Sequence, residues 1–240
     1  MMLKSFEHWF QTPLGRRLLA FERNIIDNQV ASLFGYQQFS FCVSHRLPVA
    51  TASSLGHKVI VCPSFESDMP DNVLVSLPHE IGLIHDTADV VVLHHTLDFA
   101  ASPHQTLRDV SRIIKGGGHL LVVGFNPLSL WGIRKMLSSR DQAPWNARFI
   151  SGRRLEDWLG LLDFRIDSMG YHMMAMPFDN NAEKSALPHE VALGKLRFPV
   201  GTFYSILAQK QIGCHIAYRP RWQKAKVIGL PVANSFKTDI

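Results

Sequence analysis

The stretch ADVVVLHHTLDFAASPHQTLRDVSRIIKGGGHLLVVGFNP, Ala88 to Pro127, carries two short apolar runs separated by a helical pattern. ADVVVLHH and HLLVVGF are continuously apolar, as expected of strands covered on both faces of a sheet. Between them, Ser102 is a suitable helix cap and Pro103 a suitable first helical residue. Leu107, Val110 and Ile114 then recur on one helical face. Lys115 is placed to complement the helix dipole, and Gly116, Gly117 and Gly118 are read as the turn that ends the helix. Glycine-rich loops also cradle phosphates, but such a loop follows a strand and opens a helix. Here the order is helix, glycines, strand, so KGGG is assigned to the fold and not to a cofactor loop.

The same alternation extends outward. QTPLGRRLLAFERNIIDNQVASLFG predicts a helix capped by Thr12, with Pro13 at its start, Leu14, Leu18, Phe21 and Ile25 inward, and Gly35 as its stop. YQQFSFCV, HKVIVC and DNVLVSL predict three strands before Ala88. SGRRLEDWLGLLDF predicts a helix capped by Ser151, and FRIDSMGYHMM and GTFYSILAQK predict two late strands. Strands alternating with helices indicate an α/β sheet with helices on both faces. Three regions follow: an N-terminal helical extension (1–35), an α/β domain (36–210) with an insertion at about 177–197, and a basic C-terminal tail (211–240).

With 240 residues, 46% of them hydrophobic, the chain is long enough to bury a substantial core. No apolar run approaches membrane-spanning length, and the N-terminus lacks a signal-like apolar segment, so a cytoplasmic location is expected. Cys42, Cys62 and Cys214 form no CxxC pair, which argues against a disulfide framework or zinc knuckle. The net charge of +5 is concentrated after Gln211, where five basic residues face Asp239 alone. That tail offers a nucleic-acid contact, but a solvated terminus is the favoured reading.

The block from Asp89 to Lys135 resembles the second half of class I S-adenosylmethionine-dependent methyltransferases. The resemblance is carried by Leu77-Pro78, ADVVVLHHTLDF, the Pro103 helix with Arg108 and Arg112, and IKGGGHLLVVGFNP. WFQTPLGRRLL, LFGYQ and GFNPLSLWGIRK are similar to a bacterial, type-11-like group of methyltransferase-like proteins. The resemblance implies a Rossmann-like fold of seven strands in the order 3-2-1-4-5-7-6, with the last strand antiparallel and helices on both sides. It also implies S-adenosylmethionine as cofactor and a small-molecule substrate, with the cleft across the carboxyl ends of the first strands. The chain departs from the family pattern at three places. No glycine lies between Gln37 and Ser54, Cys62 or Ser64 stands where an acidic residue grips the ribose, and Val73 stands where an Asp holds the adenine. Glu66 is a shifted substitute for the ribose acid.

On that alignment Cys42, Val43, Ser44, Ser64, Leu77 and His94 are the candidate cofactor contacts. His94, His95 and Asn126 are the candidate catalytic residues, because strand ends face the cleft and imidazoles titrate near neutrality. The competing readings are a core histidine for one of the pair and an Asn-Pro turn for Asn126. Trp131 is read as packing or pocket wall, and Asp98 as an acidic residue after the fourth strand or the start of a turn. His79 and His85 lack the spacing of a helical zinc motif, and no metal site is expected. MGYHMMAM is read as a strand or lid over the cleft. The departures also support a rival expectation, a non-catalytic or regulatory protein that keeps the fold with weak or no cofactor binding.

Overall fold

The computed structural model describes residues 2–137, 143–173 and 201–212. The insertion at 177–197, the last residues of MGYHMMAM and the tail from 213 lie outside the described residues. Seven strands form one sheet in the order β3-β2-β1-β4-β5-β7-β6. They are β1 (Gln37–Phe41), β2 (His57–Cys62), β3 (Val73–Val75), β4 (Ala88–His94), β5 (Ile114–Phe125), β6 (Phe164–His172) and β7 (Phe203–Lys210). β1 runs parallel to β2 and β4, and β4 parallel to β5, while β7 is antiparallel to both β5 and β6.

Two layers of side chains cover this sheet. Val90 and Val92 of β4, with Leu121 and Val123 of β5, pack beneath α1 (Met2–Phe10) and α2 (Pro13–Val30) through Phe6, Phe10, Leu18 and Ile26. Val91 and Leu93, with Leu120 and Val122, pack beneath α4 (Pro103–Ile113) and α6 (Gly152–Leu161) through Leu107, Val110, Leu155 and Leu159, while the short α3 (Thr96–Phe99) and α5 (Leu130–Leu137) follow β4 and β5. Alternation along each strand thus feeds both faces, which is why the strands read as unbroken apolar runs. Each fully buried aliphatic side chain of this kind contributes roughly 1.5–3 kcal/mol.

The helices differ from the sequence reading at Ser102, which precedes the Pro103 helix without a side-chain capping bond, and in three further places. Thr12 caps α2 as expected, accepting from the Gly15 amide at 3.1 Å, and its hydroxyl also donates to the Trp9 carbonyl at 2.7 Å. A Cβ on Gly15 would lie 2.3 Å from that same carbonyl, so glycine permits the tight corner between α1 and α2. The buried face of α2 is Leu18, Leu19, Glu22, Ile26 and Val30, whereas Leu14, Phe21 and Ile25 are only partly buried. The stripe is rotated because it includes a carboxylate, Glu22, that a polarity pattern assigns to solvent. The helix also ends at Val30 rather than at Gly35, which instead abuts Asp89.

The third difference concerns KGGG. α4 ends at Ile113, and β5 begins at Ile114 without an intervening turn, so the glycines lie inside the strand. Pairing of β4 with β5 jumps from Ala88↔Ile114 to Val90↔His119, which places the glycines in a bulge. Gly117 has a φ of 85°, and a Cβ on Gly118 would meet Ile114 and the Asp89 and Lys115 carbonyls at 2.9–3.0 Å. Lys115 pairs with Asp89 at 2.7 Å, and Asp89 also accepts from the Tyr36 and Gln37 amides at 2.9 Å each. The bulge therefore lets one carboxylate tie together the starts of β1, β4 and β5. Gly117→Ala, whose Cβ would touch Ile212 at 3.8 Å without a clash but would sit on a left-handed backbone, is expected to cost about 1–2 kcal/mol in urea unfolding. It should leave ligand affinity in the cleft unchanged, and a parallel loss of affinity would overturn the purely structural role given to KGGG.

Candidate functional site

Parallel strands direct their carboxyl ends to one edge of the sheet, and a cleft of about 170 Å³ lies there. Its walls are Phe41, Cys42 and Val43 after β1, Val61 and Pro63 at the end of β2, Ser76 to His79 after β3, and His95, Thr96 and Phe99 to Ala101 after β4. The lining is mainly apolar, and among the described lining residues none is a carboxylate. Thr96 closes one corner by donating to the Phe41 carbonyl at 3.2 Å. Burial pushes the Cys42 thiol up to about 12, so it stays protonated and is no nucleophile.

Three expected contacts, Cys42, Val43 and Leu77, line this cleft. Ser44 and Ser64 do not. The Ser44 hydroxyl donates to Glu7 of α1 at 3.0 Å and accepts from the Arg46 amide, which turns it away beneath the N-terminal helix. The Ser64 carbonyl accepts from the Cys62 thiol. Glu66 is bound by Arg46 at 2.9 Å and does not line the cleft. Asn126 is fully buried, its amide nitrogen donating to the Gly201 carbonyl at 2.8 Å and its side-chain oxygen accepting from the Leu128 amide. It joins the β5 end to the start of β7 and is not brought to the cleft. Trp131 is completely buried, edge-on to Trp9 and stacked with Phe125.

Of the two candidate histidines, His95 borders the cleft and His94 does not. His94 continues the Val90 and Val92 side of β4 and points toward α2, away from the cleft. His95, if the strand continued, would point to the α4 side. Its left-handed backbone, φ 53°, turns it back, and its ring borders the cleft. Both Nε2–H groups then donate to Glu22, His94 at 2.9 Å and His95 at 2.8 Å, while His95 Nδ1–H donates to Asp98 at 2.8 Å. Asp98 also accepts from the Phe125 amide at 3.0 Å. None of the four side chains is more than 1% exposed.

Electrostatics in this cluster is set by burial against mutual attraction. Burial opposes ionisation of Glu22, but the His95 charge and both imidazole hydrogen bonds outweigh it and hold the carboxyl down at about 2. Burial likewise opposes charge on His95, yet Glu22 and Asp98 raise it to about 9. Burial prevails at His94, which is lowered and stays neutral, and at Asp98, which is raised. His95 is therefore an imidazolium with both nitrogens engaged, a fixed positive group and not a free base. Glu22 was not anticipated from the sequence. Its signal is a carboxylate placed four residues from both Leu18 and Ile26, on the apolar stripe of α2.

Removing one member of such a cluster strands the others in a dry interior. Glu22→Ala is expected to cost about 3–5 kcal/mol in chemical denaturation. In metal-free protein, His95 holds its proton more tightly folded than unfolded, where its pKa is about 6.5. Its contribution is complete below about 6.5 and is lost as pH rises through about 9. Glu22 contributes above its ordinary value of 4.5 and loses that contribution as pH falls toward about 2. Melting temperature should therefore fall between pH 6.5 and 9 in the parent and much less in Glu22→Gln. Equal slopes in the two proteins would contradict the charge assignment.

Comparison with known proteins agrees with this architecture. Residues 52–122 match the family model described as "Methyltransferase domain". The chain is 32% identical over 151 residues to the Escherichia coli (strain K12) "Uncharacterized protein YafS", covering 62% of this chain and 60% of that protein. It thus spans about three fifths of the length of that relative. In fold it is similar to a Thermotoga maritima SAM-dependent methyltransferase described as a possible histamine N-methyltransferase (TM-score 0.60, 19% identity, 88% of this chain and 97% of that one). It is also similar to the [4+2]-cyclase SpnF (TM-score 0.55, 13% identity, 83% of this chain and 82% of that one). Residues 52–122 thus match a methyltransferase-domain model, within a chain whose Rossmann-like, seven-stranded fold is similar to that of SAM-dependent methyltransferases.

Proposed function

We propose that the protein is an S-adenosylmethionine-dependent methyltransferase acting on a small molecule. The observation that carries this reading is the apolar cleft across the carboxyl ends of β1, β2, β3 and β4, with His95 at its border. The methyltransferase-domain match and the fold support S-adenosylmethionine as the cofactor. The residues present fit its adenosine portion. Phe41, Val61, Pro63, Leu77 and Pro78 supply apolar walls for the purine, while Ser76 and His79 bring hydrogen-bonding side chains to the β3 side. Among the described residues, no helix is long and apolar enough to cross a membrane.

When bound, the cofactor supplies an electrophilic methyl group, and the protein's part is alignment and exclusion of water. The buried cluster serves alignment by holding the end of β4 rigid. His95, with both nitrogens engaged, is not the group that takes a proton from a substrate. His79 is the other imidazole on the cleft, and it stands outside the buried cluster. The reading accordingly favours a nucleophile that already presents a lone pair, such as an amine, or one deprotonated through His79.

Calorimetric titration with S-adenosylmethionine and with its demethylated product is the test. Both should bind the parent, and Ala100→Trp, placed on the cleft wall, should weaken both at least about tenfold, or about 1.4 kcal/mol. Its melting temperature should be unchanged. Absence of heat with either ligand on folded parent protein overturns this reading. It would favour the second one, a regulatory protein that keeps the fold, whose support is the carboxylate-free lining and the engaged nitrogens of His95.

A further inference from the structure

We propose that Glu22, His94 and His95 form a binding site for one borderline divalent cation of the zinc type, set directly behind the cleft. In a regular strand, consecutive side chains leave opposite faces. His94 and His95 nevertheless present Nε2 to the two oxygens of one carboxylate, at 2.9 and 2.8 Å, because His95 adopts a left-handed backbone. That conformation costs about 1–2 kcal/mol for a residue with a Cβ, and such strain concentrates at functional positions. The three donor atoms lie within 4.8 Å of one another, and opening each hydrogen-bond contact by about half an ångström brings them to the roughly 3.3–3.6 Å spacing of donors bonded tetrahedrally at about 2.0–2.2 Å.

The orientation of His95 adds a second, independent observation. Its distal nitrogen, Nδ1, is held by the Asp98 carboxylate at 2.8 Å, and Asp98 is itself fixed by the Phe125 amide. Metal-binding histidines are held in this way, with a carboxylate on the far nitrogen that leaves Nε2 aimed at the ion. The ring is further fixed by stacking on Phe125 at 4.1 Å, and His94 by stacking on Phe10 at 5.9 Å. The three side chains are fully buried, and His95 borders the cleft.

Donor chemistry selects the ion. Two imidazoles and one carboxylate suit zinc and its neighbours, whereas magnesium and calcium take oxygen donors. Three protein donors is also the number found in zinc sites that keep a position for another ligand. The other histidine-carboxylate group, His45 with Glu66 and Asp68, is already bridged by the Arg46 guanidinium at 2.9 Å to each acid. This inference stands apart from the methyltransferase reading, since zinc is measured without S-adenosylmethionine.

The experiment is equilibrium dialysis of tag-free, chelator-treated full-length protein against zinc chloride, followed by elemental analysis. One zinc per chain is expected, with a rise in melting temperature that magnesium chloride does not reproduce. Glu22→Gln and His95→Asn should abolish binding, and Asp98→Asn should weaken it about 10–100-fold. His45→Ala should leave it unchanged. Should the cluster variants fail to fold, cobalt is bound to the parent instead and X-ray absorption counts its imidazole ligands, two being expected. Failure of the parent to bind zinc, retention of zinc by folded Glu22→Gln, loss of zinc in His45→Ala, or a cobalt site without histidine would each overturn the proposal.

Discussion

The Glu22 carboxylate, gripped by two histidines in a water-free interior, is the contact on which the rest of this structure depends. It joins α2 to the end of β4, two elements more than seventy residues apart. A buried ion pair seldom adds stability over an apolar pair of equal volume, but an unmatched one is severely penalised. Its effect is therefore selective. Any placement of α1 and α2 that fails to bring Glu22 against both imidazoles leaves charge in the core. The aromatic layer of Phe6, Phe10 and Phe125 around the cluster supplies non-directional burial, and the cluster supplies the register.

That arrangement also shapes the cleft. Once His95 is turned toward Glu22, its ring borders the cleft as a fixed group whose protons are already committed. On the opposite wall, the loop after β1 is anchored by its side chains. Ser44 is held by Glu7 of α1, and Arg46 bridges Glu66 and Asp68. The N-terminal helices thus set both the cluster behind the cleft and one side of the loop that borders it. The resulting lining is apolar, with polar side chains only at Ser76, His79, His95 and Thr96 apart from the Cys42 thiol.

Much of the architecture was legible because it rests on periodicity. Runs such as HKVIVC and ADVVVLHH match β2 and β4 within a residue, since a strand covered on both faces cannot afford polar interruptions. The caps at Thr12 and Ser151 were equally readable, being local hydrogen bonds to the helix's own amides. KGGG was misread because glycine ends helices and also permits bulges, and only the pairing partner decides between them. Here Asp89 and the β4 register draw the glycines into β5.

The site divides along the same line. Sequence by itself determined the alternation of strands and helices, because periodicity is a local pattern. Its resemblance to the methyltransferase family implied the strand order, the edge at which the cleft opens and the walls Cys42, Val43 and Leu77. Tertiary structure alone decided that Ser44 and Asn126 serve the scaffold, that His95 rather than His94 borders the cleft, and that Glu22 belongs to the core. Each of these depends on where a side chain points and on what meets it from a distant segment. A carboxylate on an apolar stripe acquires meaning only when two imidazoles arrive opposite it.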